Sequence, residues 1–117
     1  MKKIILVTGG AGFIGSKLIV SLLKESKNYN IISLDNYSSG TRLNHVKNKR
    51  IRYIKGSTVD IEKLLNKYKI KINTIFHFGE FSRIHQSFDE VKECIKSNIT
   101  GTGNLINFCL TNKIRII

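Results

Sequence analysis

Eight residues near the N-terminus, Thr8-Gly9-Gly10-Ala11-Gly12-Phe13-Ile14-Gly15, carry two overlapping glycine spacings. These are Gly10-x-Gly12-x-x-Gly15 and Gly9-x-x-Gly12-x-x-Gly15. Glycine suits a backbone that turns sharply, often at positive φ, and a place where a Cβ would strike a bound group. When such a turn opens a helix, unpaired N–H groups and the positive dipole end face the bound group, which favours phosphate. The dipole contributes about 0.3–1 kcal/mol at exposed sites and up to about 2 when partly buried. Asp35 follows at the distance where a carboxylate can accept both hydrogen bonds of a ribose diol. The same carboxylate repels a 2′-phosphate. The pair of features therefore predicts a dinucleotide site that takes NAD in preference to NADP.

Other residues with chemical potential read differently. His77 invites a general-base role, but it stands in an apolar segment between Phe76 and Phe78 and reads as a buried, hydrogen-bonded structural histidine. His45 and His85 read as surface residues. Cys94 and Cys109 fall in one predicted helix, as reduced core or half-buried residues rather than a disulfide framework. There is no metal-ligand spacing and no Gly-x-Ser-x-Gly nucleophile turn.

The elements that must hold these residues alternate. Ile4–Val7, Ile31–Leu34, Ile51–Ile54, Thr74–Phe78 and Ile114–Ile117 are short apolar runs of the kind that form buried parallel strands. Between them lie helical patterns. One runs from Phe13 to about Lys24, with Ile14, Leu18, Ile19, Leu22 and Leu23 on its apolar face. Leu43–Val46 reads as a short helical turn. A further helix is capped by Asp60 and buries Ile61, Leu64, Leu65 and Tyr68. A long helix over residues 87–110 has Ser87 as N-cap and Phe88, Val91, Cys94, Ile95, Ile99, Leu105, Ile106 and Cys109 at helical spacing. Such alternation with short connections requires right-handed crossovers. The expected fold is α/β: a Rossmann-type doubly wound parallel sheet of five strands in the order 3-2-1-4-5, the fifth truncated. Residues 1–117 read as a single domain, and the glycine turn, Asp35 and the Phe76–Phe78 segment all fall at the C-terminal ends of strands.

Composition narrows the partners. The 117 residues carry a formal charge of +12, but the basic residues are scattered, with Lys47-Asn48-Lys49-Arg50 the one tight cluster. No nucleic-acid-binding motif accompanies them, so the charge reads as a solvated surface that assists anionic ligands, with no nucleic-acid partner expected. The apolar run after Met1-Lys2-Lys3 stops after four residues, too short for a signal core or a membrane span. A cytoplasmic protein without a membrane partner is the expectation.

Four segments in order carry a specific likeness. They are Thr8–Gly15; Asp35-Asn36-Tyr37-Ser38-Ser39-Gly40; Phe76-His77-Phe78-Gly79-Glu80; and Asn98-Ile99-Thr100-Gly101-Thr102. With them the chain resembles the N-terminal part of the extended short-chain dehydrogenases/reductases, in the NAD-dependent epimerase/dehydratase family typified by UDP-sugar 4-epimerases. The resemblance implies that Gly9, Gly12, Phe13 and Ile14 contact the pyrophosphate. It places Asp35 and Asn36 on the adenosine ribose, with Ser38, Ser39 and Gly40 close by. Phe78, Gly79 and Glu80 would line the floor under the pyrophosphate and the nicotinamide-side ribose, and Asn98 would reach that region from its helix.

Two positions depart from the family. Gly56-Ser57 replaces the usual Gly-Asp, so Ser57 and Thr58 offer weaker adenine contacts. Glu80 replaces a small residue, and is either paired with Arg83 or turned toward a sugar hydroxyl. The family's hydride chemistry also uses a tyrosine and a lysine four residues on. Here Tyr29, Tyr37, Tyr53 and Tyr68 are followed at that distance by Ser33, Thr41, Ser57 and Ile72, so no catalytic residue is assigned. The resemblance implies the NAD-binding portion of an enzyme that acts on a nucleotide-sugar substrate by transient hydride transfer. The alternative is a small non-catalytic NAD-binding module or partner subunit. The long helix also implies a homo-oligomer or a missing C-terminal portion to cover its outer apolar residues.

Overall fold

The computed structural model describes residues 2–82 and 84–117, and the side chains of all of these except 84–86. Five parallel strands form one sheet in the order β3-β2-β1-β4-β5. They are β1 (Lys3–Thr8), β2 (Tyr29–Asp35), β3 (Ile51–Lys55), β4 (Ile72–His77) and β5 (Arg115–Ile116). The central strand is buried on both faces, which is why its sequence is continuously apolar rather than alternating. Its side chains still alternate in direction. Ile4 and Leu6 join Ile32, Leu34, Ile75, Leu105 and Phe108 on one face, while Ile5 and Val7 join Ile19 and Ile31 on the other.

Helix α1 (Phe13–Glu25) covers the second face through Ile19, Leu18, Leu22 and Leu23. Ile14 does not share that role. It is exposed, because the first turn of α1 projects past the strand ends instead of lying on them. Arg50 binds the carbonyls of Leu23, Ser26 and Tyr29, so one member of the basic cluster secures the end of α1 rather than a ligand.

The first face is covered by α2 (Ile61–Leu65) and by the C-terminal helical segment. Ser57, not Asp60, supplies the cap here: its Oγ accepts from Val59 N at 3.2 Å and starts a 3-10 turn over Thr58–Asp60. Asp60 makes no side-chain cap. Another 3-10 turn occupies Arg42–Asn44, close to the short turn expected after Leu43.

The long helix expected over residues 87–110 is instead four helical pieces. Helix α3 (Ile84–Asp89) starts earlier, so Ser87 lies inside it and is no N-cap. Glu90 has φ −118° and ψ 48°, which breaks the helix before α4 (Val91–Ile95). A π-helical stretch, Lys96–Gly101, then leads into α5 (Thr102–Asn112). The insertion has a packing consequence: Gly101 lies so near Thr58 that a Cβ would come within 2.2 Å of its Oγ1. A regular ladder would carry a different residue to that point. Helical periodicity in sequence cannot reveal such a slip.

Candidate functional site

A cleft of about 510 Å³ opens at the C-terminal ends of β1, β2 and β4, within the size range of small-molecule sites. Its centre is the turn from β1 to α1. Gly9 has φ +70°, and a Cβ there would lie 2.8 Å from the carbonyl carbon of Phe78. Both facts demand glycine. Gly9 N donates to Leu34 O at 2.8 Å, Gly12 N to Gly9 O at 3.1 Å and Ser16 N to Gly12 O at 3.1 Å. Gly15 packs against the turn itself, where a Cβ would fall 2.2 Å from Gly9 O. Gly12 precedes α1 with no side-chain cap, so the first N–H groups of the helix are left for a ligand.

On one side of this turn stands Asp35. It is buried, with Oδ2 accepting from Ala11 N at 3.0 Å and Oδ1 from Tyr37 N at 2.8 Å. Each oxygen retains acceptor capacity, so the carboxylate is oriented and still able to take a diol. Tyr37 reaches that position through a left-handed backbone, φ 61°. Its hydroxyl shares a 2.7 Å hydrogen bond with His45 Nε2, and His45 stacks on Tyr53 at 3.6 Å between ring centroids. Tyr53 Oη accepts from Val46 N at 3.0 Å. His45 is thus half-buried, in the middle of an aromatic stack that anchors the loop after β2. Burial first, and then the Asp35 charge, push the Tyr37 hydroxyl above its usual pKa. Burial, aided by the Arg42 guanidinium, pulls His45 below the usual imidazole value.

On the other side, Thr8, His77, Glu80 and Thr102 form a chain of hydrogen bonds. Thr8 Oγ1 accepts from Phe78 N (3.1 Å) and Gly79 N (3.0 Å). Its own proton is then available for His77 Nδ1, 2.6 Å away. That assignment makes Nδ1 the acceptor and leaves the imidazole proton on Nε2. Nε2 faces Glu80 Oε1 at 3.3 Å and Thr102 Oγ1 at 3.2 Å, and Thr102 donates to Glu80 Oε1 at 2.7 Å. His77 is hydrogen-bonded as its sequence context implied, but it is half-buried rather than buried and borders the cleft. Arg83, the other candidate partner of Glu80, lies outside the described residues, as does the side chain of His85.

Most of the sequence-selected residues meet at this cleft. Gly9, Gly12, Phe13, Ile14, Asp35, Asn36, Ser38, Ser39, Ser57, Thr58, Phe78, Gly79 and Glu80 all line it. Gly40 and Asn98 stand one layer behind. Gly40 backs Asp35, where a Cβ would lie 2.8 Å from Oδ2. Asn98 clamps the backbone of Phe81, accepting from its N–H at 2.6 Å and donating to its carbonyl at 2.9 Å, and so holds the loop that carries Glu80. Thr58 is buried against Gly101. Sequence reasoning passed over Gly15, Leu34, Gly56, His77, Ser82 and Ser97 as wall residues. Gly56 and Leu34 had a signal, since both sit at strand ends; Ser97 had none, because the π-helical stretch sets its direction. Among the described residues no cluster of His, Cys, Asp or Glu could hold a metal ion, and no helix is long and apolar enough to cross a membrane.

A family model described as GDP-mannose 4,6 dehydratase matches residues 6–117. The dTDP-D-glucose 4,6-dehydratase of Dictyostelium discoideum is 35% identical over 116 residues, 95% of this chain and 27% of that protein. The human dTDP-D-glucose 4,6-dehydratase is 38% identical over 111 residues, 90% of this chain and 31% of its own length. Among solved structures, the UDP-glucose 4-epimerase of Thermotoga maritima with UDP-glucose superposes with a TM-score of 0.82 at 30% identity, over 95% of this chain and 35% of the other. The Bordetella bronchiseptica enzyme WbmG in complex with NAD gives 0.84 at 25% identity, over 99% and 36%. The chain thus spans about a third, or somewhat less, of the relatives it matches.

Proposed function

The chain belongs to the GDP-mannose 4,6 dehydratase family, and from that footing we propose that residues 1–117 act as one NAD-binding domain of a nucleotide-sugar epimerase or dehydratase. The observation that carries this reading is the joint geometry of the glycine turn and Asp35. The turn has no Cβ at Gly9 and opens onto uncapped helix N–H groups, which fits a pyrophosphate. Asp35, oriented from behind by Ala11 N and Tyr37 N, accepts the diol of the adenosine ribose and disfavours a 2′-phosphate, so NAD is preferred over NADP. Ser57 and Thr58 border the adenine end of the cleft, and Phe78 and Gly79 form its floor.

Bound NAD supplies a hydride acceptor for oxidation of a sugar hydroxyl. What these residues contribute is binding and orientation: the turn fixes the phosphates, Asp35 fixes one ribose, and Asn98 steadies the floor through Phe81. The 117 residues contain no Tyr-x-x-x-Lys pair, and none of them is assigned to deprotonation of the sugar. The exposed side chains of Val91, Ile95, Ile99, Ile106 and Leu110 supply an apolar face for a second copy or for the rest of such an enzyme.

Calorimetric titration with NAD and with NADP tests the reading. NAD is expected to bind and NADP to bind more weakly. Absence of binding by either at millimolar concentration, or tighter binding of NADP, sinks it.

A further inference from the structure

The cleft holds a second carboxylate in a place that mirrors Asp35. Leu34 on β2 and His77 on β4 both stand opposite Thr8 of the central strand. Asp35 follows Leu34 directly, and Glu80 follows His77 by three residues, so the two acids flank the glycine turn from opposite sides. Both line the cleft. A dinucleotide laid with its pyrophosphate on the turn places a ribose on each side of it.

Glu80 is oriented through one of its two oxygens. Its Oε1 receives the Thr102 hydroxyl at 2.7 Å and faces His77 Nε2 at 3.3 Å. Those donors are themselves fixed, because Thr8 Oγ1 directs its proton to His77 Nδ1 and thereby sets the imidazole proton on Nε2. Oε2 has no hydrogen-bond partner among the described residues. A carboxylate with one oxygen clamped and the other open is an acceptor for hydroxyl groups.

Resting on the NAD-binding reading above, we propose that Glu80 is a second diol-binding carboxylate that accepts hydroxyl hydrogen bonds from the ribose on the nicotinamide side. Thr102 and His77 are its positioning residues, acting through Oε1.

The test compares ADP with ADP-ribose, which differ by the second ribose and lack the nicotinamide. Calorimetry on the whole chain is expected to show ADP-ribose binding more tightly than ADP. Glu80→Ala removes that gain, so the ratio of ADP-ribose to ADP affinity falls about tenfold, as for loss of a charge-assisted hydrogen bond. Glu80→Gln, which keeps an acceptor for Thr102 and so preserves the loop, loses most of the gain as well. An undiminished ADP-ribose gain in both variants overturns the role, and so does an equal loss for both ligands, which marks a merely structural effect. Failure of the underlying reading looks different: the unaltered chain then binds neither ADP nor ADP-ribose, and the role of Glu80 falls with it.

Discussion

The backbone N–H of Ala11 donates to Asp35 Oδ2 across 3.0 Å, tying the turn after β1 to the end of β2. The carboxylate proposed to take the ribose and the turn proposed to hold the phosphates are therefore one mechanical unit. Asp35→Ala is expected to weaken NAD binding about tenfold or more, narrow the margin between NAD and NADP, and lower stability by about 1–3 kcal/mol, because the buried Ala11 N–H loses its partner. Calorimetry and urea denaturation on the same variant check both effects. A change in affinity without a change in stability contradicts the coupling.

The glycines of the turn separate folding from binding. Gly9→Ala places a Cβ 2.8 Å from Phe78 C at φ +70°, a strained position that costs on the order of 1–3 kcal/mol before any steric shift is added. Gly12, with φ −83° and ψ −179°, has a conformation open to any residue. A Cβ there meets only Gly9 O at 3.3 Å. Gly12→Ala is expected to cost about 1 kcal/mol or less while weakening NAD about tenfold, because its methyl group enters the phosphate cradle. Denaturation midpoints and NAD titration of the two variants give the ranking.

His45 makes stability depend on pH. Its folded pKa lies below the ordinary imidazole value of about 6.5, so the unfolded chain takes up the proton first on acidification. The stabilisation is present above about pH 6.5 and is lost as pH falls through the lower folded value. His45→Phe keeps an aromatic ring against Tyr53 but does not titrate. It is expected to flatten the acid limb of a stability profile measured by urea denaturation between neutral and mildly acidic pH. An unchanged slope refutes the assignment.

Helix α5 and the segment before it show one apolar side to the sheet and another to solvent. Leu105, Phe108 and Cys109 are buried, whereas Val91, Ile95, Ile99, Ile106 and Leu110 are exposed, a patch of the kind that promotes association. Sedimentation velocity is expected to show self-association that grows with concentration. The double variant Ile95→Lys/Ile106→Lys is expected to stay at the smallest species. Identical profiles for both proteins place the contact elsewhere.

What the sequence determined by itself is local. Runs of apolar residues set the strands, glycine spacing set the turn, and the interval to Asp35 set a carboxylate beside it, because each depends on short-range backbone geometry or on one buried strand. The sheet order followed from handed crossovers between those elements. The tertiary structure alone decided which distant side chains meet. Thr8 and His77 lie 69 residues apart, yet they share the hydrogen bond that fixes the imidazole proton. His45 looked like a surface residue until β3 brought Tyr53 beneath it. Asn98 is tied to the site through Phe81, and the π-helical slip that brings Gly101 against Thr58 leaves no mark on hydrophobic periodicity. Periodicity reports which face of an element is apolar; it does not report what arrives on that face, and Glu80 acquired its clamp only when β4 and α5 closed around it.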